Sequence, residues 1–211
     1  MANRNVDGPR RKHNAPKLTV VSEKEVSSSK QDVDHLVAER VLESYDASSL
    51  VGIRTIVSHA AIQRITESGE ETIELPKLNE LLATAAVARC LMPMRLSGRE
   101  LKALRKILGL TLAEMADKLD QRTAVETVSR WESGSQPMGP YVEKVLRLVV
   151  CEELKELAPG IFYVGKLISD MRVEDPMDRE NCDACVRLTL VKVKEQQSGK
   201  LIEAWDVGIA A

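Results

Sequence analysis

Aromatic residues are scarce in this chain, which has one Phe, two Trp and three Tyr among 211 residues. The overall hydrophobic content is ordinary, so a chain of this length can hold one or two domains with a proper core. Histidine is scarce too, with three in all, and no Gly-rich loop of the kind that binds phosphate is present. Because we find no acid–base pair or activated nucleophile, we predict that the protein is not an enzyme and uses no cofactor.

Cysteine is equally limited, with four residues at irregular spacing. Cys182 and Cys185 have the spacing of a zinc-ligand pair, but a structural zinc needs two more ligands. The other cysteines, Cys90 and Cys151, and all the histidines are far away in sequence. The sequence therefore predicts free thiols and no metal site, which fits a reducing compartment.

Neither a long apolar run nor a strong net charge is present. No stretch is long enough to span a bilayer, and the N-terminus lacks the apolar core of a signal peptide, so we expect a cytoplasmic protein. The formal net charge is −2, but residues 95–150 contain ten Lys and Arg against seven Asp and Glu. Such a small excess attracts nucleic acid weakly over distance, so any DNA binding should depend on specific contacts and dimerisation.

Two short helices are predicted in the middle of the chain. A first helix should end near Leu108, and its apolar residues recur at helical spacing: Leu101, Leu104, Ile107 and Leu108. Thr111, followed by Glu114 three residues later, has the pattern of a capping box and predicts the start of a second helix. That helix should bury Leu112, Met115, Ala116 and Leu119.

A third helix is predicted after the turn Asp120–Arg122. Thr123 and Glu126 have the pattern of another capping box, and Val125, Val128 and Trp131 should point into the core. The exposed face would then carry Glu126, Thr127, Ser129 and Arg130. A tight pair of helices with a polar outer face fits the major groove of DNA, although a plain helical hairpin with a solvated face has the same periodicity.

The sequence itself favours the DNA-binding interpretation. The segments Ser97–Ala116 and Thr127–Gly134, the latter reading Thr-Val-Ser-Arg-Trp-Glu-Ser-Gly, resemble the Cro/repressor-type (XRE) helix-turn-helix family. The resemblance implies that Arg105 of the first helix pairs with Glu132 at the end of the recognition helix. These two residues would be structural and would not contact DNA.

A second resemblance extends the comparison upstream to Tyr45. The order of short strands, a helix and the segment Met92–Leu101 is similar to MqsA-type antitoxins, which join an N-terminal zinc and toxin-binding domain to a dimeric helix-turn-helix. This chain has no cysteine before Cys90, so the zinc domain of that family is in doubt. An asparagine that contacts a base in that family corresponds to Glu126 here, whereas the base-reading arginine is kept as Arg130.

The remaining segments are assigned from composition. Residues 1–31 should form a disordered basic tail, and 32–92 a small α+β domain that opens with a short helix near Val33–Leu42 and ends in the helix Leu78–Cys90. The helix-turn-helix domain would cover 93–157, with the apolar stripe of Tyr141–Leu157 completing it. Residues 158–211 would be a C-terminal extension with a β-hairpin, Val186–Val193 and Leu201–Asp206, and the dimer surface would come from this hairpin and from Tyr141–Leu157.

Together these patterns predict a mainly α protein with a minor β component, in which a five-helix helix-turn-helix domain is flanked by small α+β segments. The predicted function is a transcriptional regulator that binds double-stranded DNA as a homodimer on an inverted repeat. Glu126, Thr127 and Arg130 would contact bases, and the backbone or flanking contacts would come from Thr111, Gln121, Arg122, Thr123 and Ser129. The alternative is an antitoxin that neutralises a protein toxin through residues 45–90.

Overall fold

The computed structural model describes residues 36–120, 122–175, 184–194 and 201–208. The predicted basic tail, Gln121 and Cys182 lie outside these ranges. The described helices are α1 (Ser48–Val51), α2 (Leu78–Leu91), α3 (Gly98–Ile107), α4 (Leu112–Leu119), α5 (Val125–Ser133), α6 (Pro140–Leu154) with a 3₁₀ turn at Lys155–Leu157, and α7 (Gly165–Ser169). The strands are β1 (Leu36–Val41), β2 (Ser44–Asp46), β3 (Thr55–Ser58), β4 (Ile62–Thr66), β5 (Glu71–Glu74), β6 (Val186–Lys194) and β7 (Leu201–Val207).

The strands form two sheets, so the fold is α+β and the prediction of a mainly α protein is wrong. The first sheet has three antiparallel strands in the order β1-β4-β5. The second has the order β2-β3-β6-β7, and its β3 and β6 run parallel, with Thr55 opposite Val186 and Ser58 opposite Thr189. Each strand alone gives a weak sequence signal, and pairing between strands so distant along the chain has no local signal at all.

The start of the described chain is also a strand where we predicted a helix. β1 pairs with β4, and Glu39 lies opposite Arg64 in the register, with 2.8 Å between the Glu39 carboxylate and Arg64 Nε. The predicted hairpin of β6 and β7 is present, and β4 and β5 form another through the turn at Glu67–Glu70. The second sheet thus joins segments that lie on either side of the helix-turn-helix in sequence.

The centre of the core is α2, which packs against α3, α6, β6 and β7. Its residues from Leu81 to Cys90, with the exception of Leu82, are buried, and most of them are alanines or other small residues. Small side chains let neighbouring elements approach closely, and a helix that is apolar on all sides is expected in the centre of a core. The same hydrophobic cluster includes Trp131 of α5 and Trp205 of β7.

Two buried charges on α6 connect α2 to α3. The guanidinium of Arg147 donates to the backbone oxygens of Cys90, Met92 and Met94 and forms an ion pair of 2.7 Å with Glu143. Glu143 in turn accepts a 2.9 Å hydrogen bond from the backbone N–H of Leu96. Both side chains are fully buried, so this pair, here called the Arg147 clamp, satisfies backbone groups that would otherwise be unpaired in the core.

The buried face of α6 accordingly differs from the predicted one. The residues that face the core are Glu143, Leu146, Arg147, Val150, Cys151 and Leu154. Val142, Val145 and Val149, which the apolar pattern placed inside, are only half-buried. The apolar pattern did not place Glu143 and Arg147 inside, because charged side chains are normally expected on the surface.

Candidate nucleic-acid interface

The helices α3, α4 and α5 form the helix-turn-helix unit. Ser97 caps α3 by accepting from the N–H of Glu100, and the Glu100 carboxylate accepts from Ser97 N–H at 2.8 Å. Thr111 and Glu114 form the same reciprocal capping box at α4, as predicted. α5 packs against both helices, with Val128 and Trp131 buried, which also agrees with the sequence analysis.

The beginning of α5 differs from the prediction. Its N-cap residue is Ala124, no side chain caps the helix, and the Thr123–Glu126 capping box is therefore wrong. The turn is instead closed by Asp120, whose backbone oxygen accepts from Thr123 N–H at 2.8 Å and whose carboxylate accepts from Arg122 N–H at 3.2 Å. These hydrogen bonds to Asp120 stabilise the turn that leads into α5, and the helix begins without a side-chain cap.

The outward face of α5 is a continuous stripe. It consists of positions that are exposed and lie on one side of the helix: Val125, Glu126, Ser129, Arg130 and Ser133. The prediction that Val125 points inward is wrong, since the side chain is 39% exposed. Thr127 is half-buried and lies beside this stripe, so it is less available than Glu126 and Arg130.

Two charged side chains in this stripe are free of partners within the described residues. The Glu126 carboxylate and the Arg130 guanidinium form no hydrogen bond or ion pair with any part of the chain that the structure describes. The Ser133 and Ser135 hydroxyls donate to the backbone oxygen of Arg130 and not to its side chain. Val125, next to Glu126, adds an exposed apolar side chain to the stripe. No signal in the sequence indicated this, because a valine at this spacing is normally expected in the core.

Thr111, which we predicted to contact the DNA backbone at the start of α4, has its donor groups already in use. The backbone N–H and the hydroxyl of Thr111 both donate to the Glu114 carboxylate at 2.8 Å. The backbone hydrogen bond from Thr111, followed by the hydroxyl bond, lowers the pKa of Glu114, which keeps this carboxylate charged at neutral pH. The first-turn N–H groups of Leu112 and Ala113, which have no partner within a helix, remain for an anion.

The ion pair between Arg105 and Glu132 is present. Arg105 Nε lies 2.5 Å from one Glu132 carboxylate oxygen, a second guanidinium nitrogen lies 3.0 Å from the other oxygen, and a third donates to the backbone oxygen of Leu110. The hydrogen bond to Glu132 raises the pKa of Arg105. Both side chains are largely buried between α3 and α5, away from the exposed stripe.

The close approach of α3 to the end of α5 depends on Gly98. A Cβ at this position would lie 2.5 Å from the backbone oxygen of Trp131 and 2.6 Å from that of Glu132. Backbone oxygens held in a helix cannot move aside as the end of a side chain can. Gly98 therefore sets the distance between the first helix and the recognition helix.

We expect Gly98→Ala to lower the free energy of unfolding by about 1–3 kcal/mol, the usual cost of overpacking. Urea denaturation measures the loss. Gly139→Ala is the matched control, because its φ is −67° and a Cβ there meets nothing within 4 Å. Equal stability of the two variants would show that α3 and α5 are not packed this closely.

Within the described residues, no three His, Cys, Asp or Glu side chains are grouped as metal ligands would be. Cys185 is a half-buried free thiol, and Cys90 and Cys151 are buried in the core. Burial, followed by a hydrogen bond with Cys151, raises the pKa of the Cys90 thiol well above its usual range. No helix in the described part of the chain is both long and apolar enough to cross a membrane.

Comparison with known proteins finds a family similar to this part of the chain. Residues 96–170, from the residue before the α3 N-cap through α7, match the Aca2/YdiL-like family model. No curated protein sequence and no solved structure matches the chain. The segment from Leu96 to Asp170, which contains the helix-turn-helix, is thus similar to the Aca2/YdiL-like family.

Proposed function

We propose that the protein is a sequence-specific DNA-binding transcriptional regulator that acts as a homodimer on an inverted repeat. The observation that carries this proposal is the exposed stripe of α5, whose Glu126 and Arg130 are polar, unpaired within the described residues and held on a helix with a buried opposite face. The resemblance to Cro/repressor-type (XRE) proteins and to the helix-turn-helix of MqsA-type antitoxins points the same way.

The stripe supplies the chemistry that base recognition needs. An arginine such as Arg130 donates two hydrogen bonds to the O6 and N7 of guanine, and a carboxylate such as Glu126 accepts from the N4 of cytosine. Val125 is placed to contact a thymine methyl group. Ser129 and Thr127 flank these contacts, and Arg122, Thr123 and Gln121 would meet the backbone on the turn side of the helix.

Rigidity supports the same role. The Arg105–Glu132 pair holds the C-terminal end of α5, and the Asp120 turn holds its beginning. A side chain reads a base edge efficiently when its helix is already in place, because less freedom is lost on binding. The two free side chains therefore lie on a helix that is fixed at both ends.

Arg130→Ala should weaken binding to the specific site by about 1–3 kcal/mol, the value of a good bidentate contact to one base pair. Binding to random duplex should change little, because the phosphate contacts remain. Equilibrium titration of both DNAs at one fixed salt concentration measures the difference. The site is first found by protection mapping on the DNA upstream of the protein's own gene.

The control for this experiment is Arg187→Ala, which removes the same charge from an exposed arginine on β6, outside the helix-turn-helix. It should leave both affinities unchanged. If Arg130→Ala weakened binding to specific and random DNA equally, Arg130 would be a phosphate contact and base reading by the α5 stripe would be wrong.

A second candidate function is neutralisation of a protein toxin through residues 45–90. The family match concerns a group that includes antitoxins, but it begins at Leu96 and does not extend to this segment. Apolar side chains at Leu50, Ile73 and Leu78 are exposed there. Co-expression with the product of the adjacent gene, followed by isolation of a stable complex that Leu50→Asp or Ile73→Asp disrupts, would support this function.

A further inference from the structure

The segment around α7 exposes apolar side chains in an aromatic-poor chain. Phe162, the single phenylalanine of the sequence, is 79% exposed, and Val164 and Leu167 are 51% and 57% exposed. Aromatic residues concentrate at protein interfaces, where they supply much of the binding energy. Three exposed apolar side chains within six residues make this segment a candidate interface.

These side chains project from an anchored segment. Ile168 is fully buried under α7, Lys144 Nζ donates to the backbone oxygen of Ser169 at 2.7 Å, and Gly165 lies against Leu148 of α6. The exposed residues are thus held in place by the core below them. A preformed surface of this kind loses little freedom when a partner docks on it.

Two of the exposed apolar residues line one groove. Val164 and Leu167 are three positions apart and share a side. A groove of about 400 Å³ runs beside them, lined by Val164, Leu167, Met171 and two charged residues, Lys166 and Asp170. We call Val164, Lys166, Leu167, Asp170 and Met171 the α7 face.

The two charges make this face complementary to itself. Lys166 and Asp170 are exposed, lie one helical turn apart and form no ion pair within the described residues. When two copies of α7 meet antiparallel about a two-fold axis, Lys166 of each copy lies opposite Asp170 of the other. An isologous dimer needs this kind of self-complementary patch.

We propose that the α7 face is the surface on which a second copy of this chain docks to form a two-fold dimer. The inference rests on the proposed function only in that reading an inverted repeat requires a dimer. None of the α5 stripe residues belongs to the α7 face. Of the surfaces that the sequence suggested for the dimer, Leu188 and Trp205 of the hairpin and Leu146 and Val150 of α6 are buried in the core of the subunit itself.

The first test is the mass of the full-length chain, measured without DNA by sedimentation equilibrium over a concentration series. The native protein should be a dimer. Leu167→Asp should raise the dimer dissociation constant by roughly 30-fold or more, as the loss of one central interface side chain does. Leu50→Asp is the matched control, since Leu50 is also exposed (51%) on a short helix but lies outside the α7 face, and it should leave the constant unchanged.

The second test reverses the charges. Lys166→Asp and Asp170→Lys should each weaken the dimer, because like charges then face each other across the axis, and the double variant should restore it. Each change suits the polarity of α7, which favours an acid at its start and a base at its end, so the subunits should still fold. Because Lys166 and Asp170 are also neighbours within one copy, the two single variants are mixed as well. Their heterodimer places Asp opposite Lys at both contacts across the axis, so recovery of the dimer on mixing shows that the contact is intermolecular.

The outcomes separate this inference from the proposed function. A native monomer, or a dimer that neither Leu167→Asp nor the charge reversals weaken, would overturn the α7 face as the interface even if the protein selects specific DNA. A dimer that behaves as expected but selects no DNA sequence would contradict the proposed function and leave the interface intact.

Discussion

Arg147→Met should lower the free energy of unfolding by about 3–5 kcal/mol, the cost of removing one partner from a buried ion pair. The variant leaves the Glu143 carboxylate charged and buried, and it leaves the backbone oxygens of Cys90, Met92 and Met94 without the donor that they now share. One Glu143 oxygen already lacks a partner in the described structure. Without Arg147, the carboxylate would keep only the hydrogen bond from the Leu96 N–H to stabilise its charge. Denaturation in urea or guanidinium measures the effect.

Two controls separate burial from charge. Lys118→Met removes one partner of the exposed Lys118–Glu153 pair and should change stability little, because surface ion pairs contribute weakly. The double variant Arg147→Met/Glu143→Leu should recover part of the loss, since no unpaired charge then remains. A cost for Arg147→Met no greater than that for Lys118→Met would show that the Arg147 clamp is not formed.

Breaking the Arg105–Glu132 pair should have the next largest effect, roughly 3 kcal/mol of unfolding free energy for Arg105→Met or Glu132→Met, the lower end of the range for buried pairs. The pair is slightly more exposed than the Arg147 clamp, and Arg105 also holds the Leu110 backbone oxygen. The affinity of the folded protein for DNA should fall less than its stability, because neither side chain is on the α5 stripe.

A double-mutant cycle distinguishes this role from direct DNA contact. The double variant Arg105→Met/Glu132→Met should be more stable than the sum of the two single losses implies, since the residues act through each other. DNA affinity is measured well below each variant's melting temperature. A single variant that kept its stability and lost specific binding would place that residue in the interface with DNA.

The helix-turn-helix was predictable because its signals are local. Thr111 and Glu114 mark a helix start within four residues, and the spacing of Leu101 and Leu104 marks a buried face. The resemblance that pairs Arg105 with Glu132 adds information that spacing alone lacks. The prediction for the start of α5 was wrong. Thr123 is a residue type that often caps helices, but the N-cap is Ala124 and the turn before it is closed by hydrogen bonds to Asp120.

The sheets and the Arg147 clamp depend on distant parts of the chain. Val186 pairs with Thr55, and no local pattern in either strand specifies the other. Glu143 and Arg147 stand in an i, i+4 arrangement that usually indicates a surface pair. Their burial arises from the unpaired backbone groups between Cys90 and Leu96, which only the folded chain brings to α6.

The most direct test of the central claim is selection of bound sequences from a random pool of duplex DNA by the full-length protein. We expect an enriched inverted repeat, and we expect Arg130→Ala to lose preference at one pair of symmetry-related positions while keeping the others. Recovery of no enriched sequence by a folded, dimeric protein would contradict sequence-specific DNA binding.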